Sequence, residues 1–142
     1  MYLQKLVYIS NGWNLVINRE TLISERPQAW DNGPVYVSLW RHVKDWGYQG
    51  VHCELVSPLN GEIIRPNLNK SEKDIIDHVW ARYGNYTAAQ LSDMTHEPGT
   101  PWTKAYVGRG RNSELDDNEV FEHYTKLALA GRQQRAQAES GR

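Results

Sequence analysis

The sequence predicts a mainly α fold, a compact single-domain helical bundle with one small β-hairpin. Apolar residues recur near a 3.6-residue period in several separate stretches, each bounded by capping or glycine signals. Only between Val51 and Pro66 does the texture change to short apolar runs around Asn60-Gly61, a dipeptide that suits tight hairpin turns. The length of 142 residues fits one core.

Taken in order, Tyr2 to Asn18 is the first helix. Leu3, Leu6, Val7, Trp13, Val16 and Ile17 share a face that Tyr2 and Ile9 widen, so this helix is expected to lie centrally. Gly12 sits inside it, where glycine costs about 1 kcal/mol relative to alanine, and close packing against another helix is its expected use. Leu22 to Asn32 reads as a loop. In GPVYVSLWRHVKDWG, Pro34 is read as the first helical residue, where its missing N–H costs nothing. Val35, Leu39 and Val43 form a stripe with Tyr36, Trp40 and Trp46 beside it, and Gly47 closes the helix.

Asn69 and Glu72 have capping-box spacing ahead of a helix whose buried face would be Ile75, Ile76, Val79, Trp80 and Tyr83, ending at Gly84. Thr87 and Gln90 repeat the box for a short helix burying Leu91 and Met94, and Thr100-Pro101 opens another, PWTKAYV. After the polar loop GRGRNSELDD, Val120, Phe121, Tyr124, Leu127 and Ala128 mark one side of a last helix. Residues 1–131 form the domain, and 132–142 lack an apolar period and read as a flexible polar tail.

Six Trp and eight Tyr against one Phe supply bulky core material, at about 150–250 Å² per buried ring. A surplus of rings would face a partner, where Trp, Tyr and Arg concentrate binding energy. A net charge of −1 does not resemble the basic footprint of a dedicated nucleic-acid binder. The single Cys53 cannot form an internal disulfide, no run approaches the ~20 apolar residues of a membrane span, and the start lacks signal-peptide zoning. A cytoplasmic protein with no membrane partner is expected.

THEPGTPW, Thr95 to Trp102, raises the question of chemistry. A helical zinc site needs a second His four residues away, yet positions 92 and 100 are Ser and Thr. His42, His52, His78, His96 and His123 are scattered, and His52-Cys53 lacks a second ligand pair, so no metal and no cofactor are expected. Cys53 sits in an apolar run that suits a buried thiol. No nucleophile elbow or phosphate loop is present, so an enzyme is not expected. The segment reads as a corner: Pro98 and Pro101 fix torsions, Gly99 reverses the chain, Trp102 anchors the next helix, and His96 caps the preceding one. Residues 87–107 also have a helix–turn–helix rhythm, which makes a DNA-binding regulator the alternative function. Trp102, Thr103, Lys104 and Tyr106 are nonetheless a thin supply for base edges, and nucleic acid is disfavoured.

Several elements in order resemble the Panacea domain, the SocA-like, phage-associated group that serves as antitoxins in bacterial and phage toxin–antitoxin pairs. The resemblance is carried by Leu3-Gln4-Lys5-Leu6 with Gly12-Trp13, Trp30 with Gly33-Pro34-Val35, Tyr83-Gly84, and Thr95-His96 with Pro101-Trp102. It spans about residues 2 to 130; each motif alone is weak, and four in order are specific. The resemblance implies a non-enzymatic antitoxin whose partner is a cognate toxin encoded by the adjacent gene. It would act by direct blocking or as an adaptor to a protease such as a Clp-type machine, and a homo-oligomer is left open. Family members carry a further helical segment ahead of the Leu3-Gln4-Lys5-Leu6 helix; if that segment completes the core, Leu3 and Leu6 should be partly exposed here. For toxin contacts the reading selects Trp30, Tyr36, Trp40, His96, Trp102, Arg109 and Arg111, against the alternative that Trp30, Trp40 and Trp102 simply pack the core.

Overall fold

The broad apolar face of the first stretch becomes α1 (Tyr2–Asn18), which runs through the centre of the molecule. The computed structural model describes residues 2–44, 59–60 and 67–141. Among them follow β1 (Gln28–Trp30), β2 (Gly33–Val35), α2 (Val37–Val43), α3 (Lys70–Tyr83), α4 (Ala88–Thr95), α5 (Pro101–Gly108) and α6 (Asp117–Ser140). The fold is mainly α with one antiparallel hairpin, β1–β2, as the sequence predicts in class. One core joins Leu6, Tyr8 and Ile9 of α1 to Ile75 and Val79 of α3, Leu91 of α4 and Tyr124 of α6.

α1 buries polar side chains as well as apolar ones, and they tie it to the hairpin. Gln4 brackets the Tyr36 backbone: its Nε2 donates to the Tyr36 carbonyl at 3.0 Å, and its Oε1 accepts from the Tyr36 N–H at 2.9 Å. Lys5 is 0 % exposed and donates to the Pro34 carbonyl at 3.2 Å. Burial pushes the Lys5 ammonium down to about 8. Gly33, at φ +117°, leaves room for it; a Cβ there would lie 2.6 Å from Lys5 Cε. The Leu3–Leu6 and Gly33–Val35 motifs are therefore two halves of one joint.

The hairpin corrects the chain assignment in two places. Gln28–Trp30, within the segment read as loop, is a strand, and Pro34 lies in β2 rather than opening a helix. Pro34 faces Ala29, whose N–H donates to Ser113 O at 2.7 Å and whose carbonyl accepts from Asn112 N–H at 2.8 Å. Because Ala29 bonds outward to residues 112–113, the missing Pro34 N–H leaves no ladder bond unmade. The polar loop GRGRNSELDD thus flanks β1 and buries Leu115 fully. α2 starts only at Val37 and buries no residue. Of the hairpin expected at 51–66, only Leu59 and Asn60 are among the described residues, and they lie in a turn; Trp46, Gly47 and Cys53 are outside them.

Local signals elsewhere hold. Asn69 and Glu72 exchange bonds of 2.9 Å in a complete capping box, and Thr87 with Gln90 makes a second. Thr100 caps α5, with Pro101 at its start. Gly84 ends α3, as expected, and does so in right-handed geometry. It exposes its carbonyl to the Tyr2 hydroxyl. Trp80, expected in the core, is 61 % exposed. Leu127 is also exposed, whereas Leu6 is buried and only Leu3 of that pair is open to solvent. α6 continues through residues 132–140 as a helix whose side chains there are exposed.

Candidate partner-binding surface

The hairpin turn, Trp30 to Gly33, is where the surface is organised. Trp102 donates its indole N–H to the Trp30 carbonyl at 2.7 Å, and Ser92 donates its hydroxyl to the Asn32 carbonyl at 2.9 Å. Asp31 is the hub: its carboxylate accepts from the Tyr106 hydroxyl at 2.8 Å and from the Arg111 guanidinium. Bonding to Asp31 raises the Tyr106 phenol above its ordinary range.

The corner between α4 and α5 supplies these donors because of its local chemistry. Gly99 takes φ +80°, which reverses the chain, and Thr100 Oγ1 donates back to the Thr95 carbonyl at 2.8 Å. His96 is the capping residue of α4, as expected, with Nδ1 2.6 Å from the Ser92 carbonyl. Its Nε2 lies 3.0 Å from the Asp31 carbonyl, so the ring bridges the corner to the hairpin turn. Trp102 packs against the tilted His96 ring at 3.9 Å and stacks on Tyr106 at 4.5 Å.

Trp30 packs edge-on against Trp40 at 5.5 Å, and Lys44 Nζ sits 5.3 Å from the Trp40 ring. A recess of about 200 Å³ opens beside the turn, with Asp31 and Arg111 in its wall. Of the selected residues, Trp30, Trp40, His96, Trp102 and Arg111 come together here. Trp40 is 39 % exposed and Arg111 is exposed, whereas Trp102 is buried as an anchor. Tyr36 is 1 % exposed and lies in the core. Arg109 points elsewhere, to Glu119 at 2.8 Å.

Asp31, Ser92 and Tyr106 were not among the residues selected from the sequence for partner contact. Tyr106 carried a usable signal, since it follows Trp102 by one helical turn; Asp31 looked like any polar loop residue. In α5 the Trp102 and Tyr106 side chains are engaged with the hairpin, which leaves little of that helix to read base edges. Among the described residues no group of three or more His, Cys, Asp or Glu side chains is placed to hold a metal ion, and no helix is long and apolar enough to cross a membrane.

Comparison with known proteins bears on this surface. The family described as "Antitoxin SocA-like, Panacea domain" matches residues 3–103, a span that contains the α1–hairpin joint and the corner. The protein named Antitoxin SocA from Caulobacter vibrioides (strain NA1000 / CB15N) is 29 % identical over 118 residues, covering 80 % of this chain. The chain in turn spans 62 % of that relative's length. No solved structure matches. By the family match over residues 3–103, the chain belongs to the SocA-like Panacea-domain antitoxin family.

Proposed function

We propose that this chain is an antitoxin that neutralises a cognate protein toxin, encoded by the adjacent gene, by binding it directly through the hairpin turn and the surface around it. Family membership and the name of the Caulobacter relative support the role. The observation that carries the site is the preset turn: its carbonyls and the Asp31 carboxylate are held from α4, α5 and the 110–113 loop. Trp30, Trp40 and Arg111 are thereby presented in a fixed arrangement, which lowers the ordering cost of association. A stable interface here would bury about 1,200–2,000 Å² in total, with the two indoles and the guanidinium as anchors. Nothing in this role requires a catalyst or a cofactor. The toxin would be met in the cytoplasm, and a Clp-type protease enters as a further partner if neutralisation proceeds by delivery.

Co-expression tests it. The neighbouring reading frame alone should arrest growth, and this chain should restore it. Trp40→Ala with Arg111→Ala should weaken toxin binding by about a hundredfold, the scale of two anchor residues. A harmless neighbour removes the antitoxin role; rescue and affinity untouched by the double variant remove the site. Toxin half-life separates the two modes, unchanged for blocking and shortened for delivery.

A further inference from the structure

α3 and α6 both pack on α1 but scarcely on each other, and a trough remains between them. Its volume is about 490 Å³, within the range of built binding sites. Trp13, Val16 and Ile17 of α1 and Leu127 of α6 supply its apolar surface. Ile17 is 59 % and Leu127 42 % exposed, although both lie on the apolar stripes of their helices. Two stripes that continue past the core end in this trough.

Its walls are cationic. Arg82 projects from α3, and Arg132 and Arg135 from α6. Neither Arg132 nor Arg135 has an ion pair among the described residues, and Arg82 lies 5.3 Å over the Tyr83 ring rather than on a carboxylate. The one carboxylate in the wall, Asp74, is already paired with Lys70 at 3.7 Å. In a chain of net charge −1, three such guanidiniums around one apolar trough are a local excess. Gly131 lies in the α6 wall, and a Cβ there would meet nothing within 4 Å, so the helix backbone is bare to an approaching partner.

We propose that this trough docks one amphipathic helix of the partner protein, apolar on its buried face and lined with Asp and Glu where it passes Arg82, Arg132 and Arg135. A helix laid against two splayed helices packs ridges into grooves and covers Ile17 and Leu127, while its acidic flanks meet the guanidiniums. A nucleic acid would engage the arginines through phosphate and leave the apolar floor uncovered. The assignment of the helix to the toxin rests on the antitoxin reading; the chemistry of the trough does not.

The probe is a labelled, designed amphipathic peptide of about 18 residues with leucines at helical spacing and Glu flanks, long enough to form a helix once docked. Its counterpart carries Lys flanks, and a DNA duplex serves as a third ligand. The Glu-flanked peptide should bind more tightly than the Lys-flanked one by about tenfold or more and weaken with added salt. Arg132→Glu with Arg135→Glu should reverse that preference. Gly131→Leu should leave the melting temperature unchanged or higher, yet cut peptide affinity about tenfold by filling the trough. Equal binding of the two peptides, no binding at millimolar peptide, tighter binding of the duplex, or indifference to Gly131→Leu would each overturn the proposal. So would a dimer of this chain that Gly131→Leu dissolves. In the growth assay, rescue by the parent and equally by Gly131→Leu removes the trough as toxin site but keeps the antitoxin role. Absence of rescue by the parent, with the peptide pattern intact, removes the role and keeps the trough.

Discussion

Gly12 of α1 lies directly against the ring of Tyr124 in α6, so close that a Cβ at residue 12 would stand 2.3 Å from the ring. The same ring meets Trp13 edge-on at 5.3 Å and Tyr8 at 6.2 Å. Glycine is therefore what allows α6 to approach the central helix. Gly12→Ala should lower stability by about 1–2 kcal/mol, since overpacking outweighs the gain in helix propensity. Urea unfolding measures it, and Tyr124→Leu in the Gly12→Ala background should recover part of the loss. Additive losses in the double variant would contradict this account.

Lys5 makes the joint between α1 and β2 firmer as pH rises above about 8. Its folded value of about 8 lies below the unfolded 10.5, so between these the unfolded chain binds more protons. Stability should therefore rise with pH above 8, until ionisation of the unfolded tyrosines near 10 opposes it. Buried Tyr8, Tyr36 and Tyr124 are pushed upward by desolvation, which supplies that opposing effect. Lys5→Met keeps the stem, loses the bond to Pro34, and should stabilise at pH 7 by about 1–2 kcal/mol net. A flat stability profile from pH 7 to 9.5 in the parent chain would count against the burial argument.

Asp31→Asn separates surface function from stability. Both partners of its pair with Arg111 are largely exposed, so unfolding should shift by less than about 1 kcal/mol. Arg111 would lose its ion pair while the Asn amide oxygen can still accept from Tyr106, and affinity for the toxin should fall several-fold. Calorimetric melting and a binding titration on the same sample check both halves; a large loss of stability with unchanged affinity would refute this division.

Gly131→Leu should raise the unfolding midpoint. The residue is helical and a new side chain meets no neighbour, so the expected gain is about 1 kcal/mol from helix propensity. A lower midpoint would mean that the α6 wall is tighter than its open surroundings indicate.

The two capping boxes carry a simpler expectation. Asn69→Ala and Thr87→Ala each remove an acceptor for the first free N–H groups of α3 and α4, at about 1 kcal/mol apiece. Thermal melts of the single and double variants should show near-additive losses, because the boxes sit on different helices.

Those boxes were legible because their partners stand three residues apart, and the role of Gly12 was legible because an interior helical glycine needs a reason. The hairpin was not. Gly33-Pro34 carries a sound local signal for a helix start, but Gln4 and Lys5 claim the backbone of residues 34 and 36 from about thirty positions away. Trp80 fits the apolar period of α3, yet among the described residues no element buries it. The rings of the partner surface were recognisable as a class, whereas the Asp31 hub depended on Tyr106 and Arg111 arriving from distant segments.

The N-terminal caps of α3, α4 and α5, the reversal at Gly99, near-neutral charge and family kinship follow from residues and their immediate neighbours, because those effects act within one or two turns of chain. Which segment became the hairpin, why Tyr36 is core while Trp40 is surface, and how α3 and α6 came to stand apart were set by packing. Burial sums contacts across the whole chain, and no local window contains that sum.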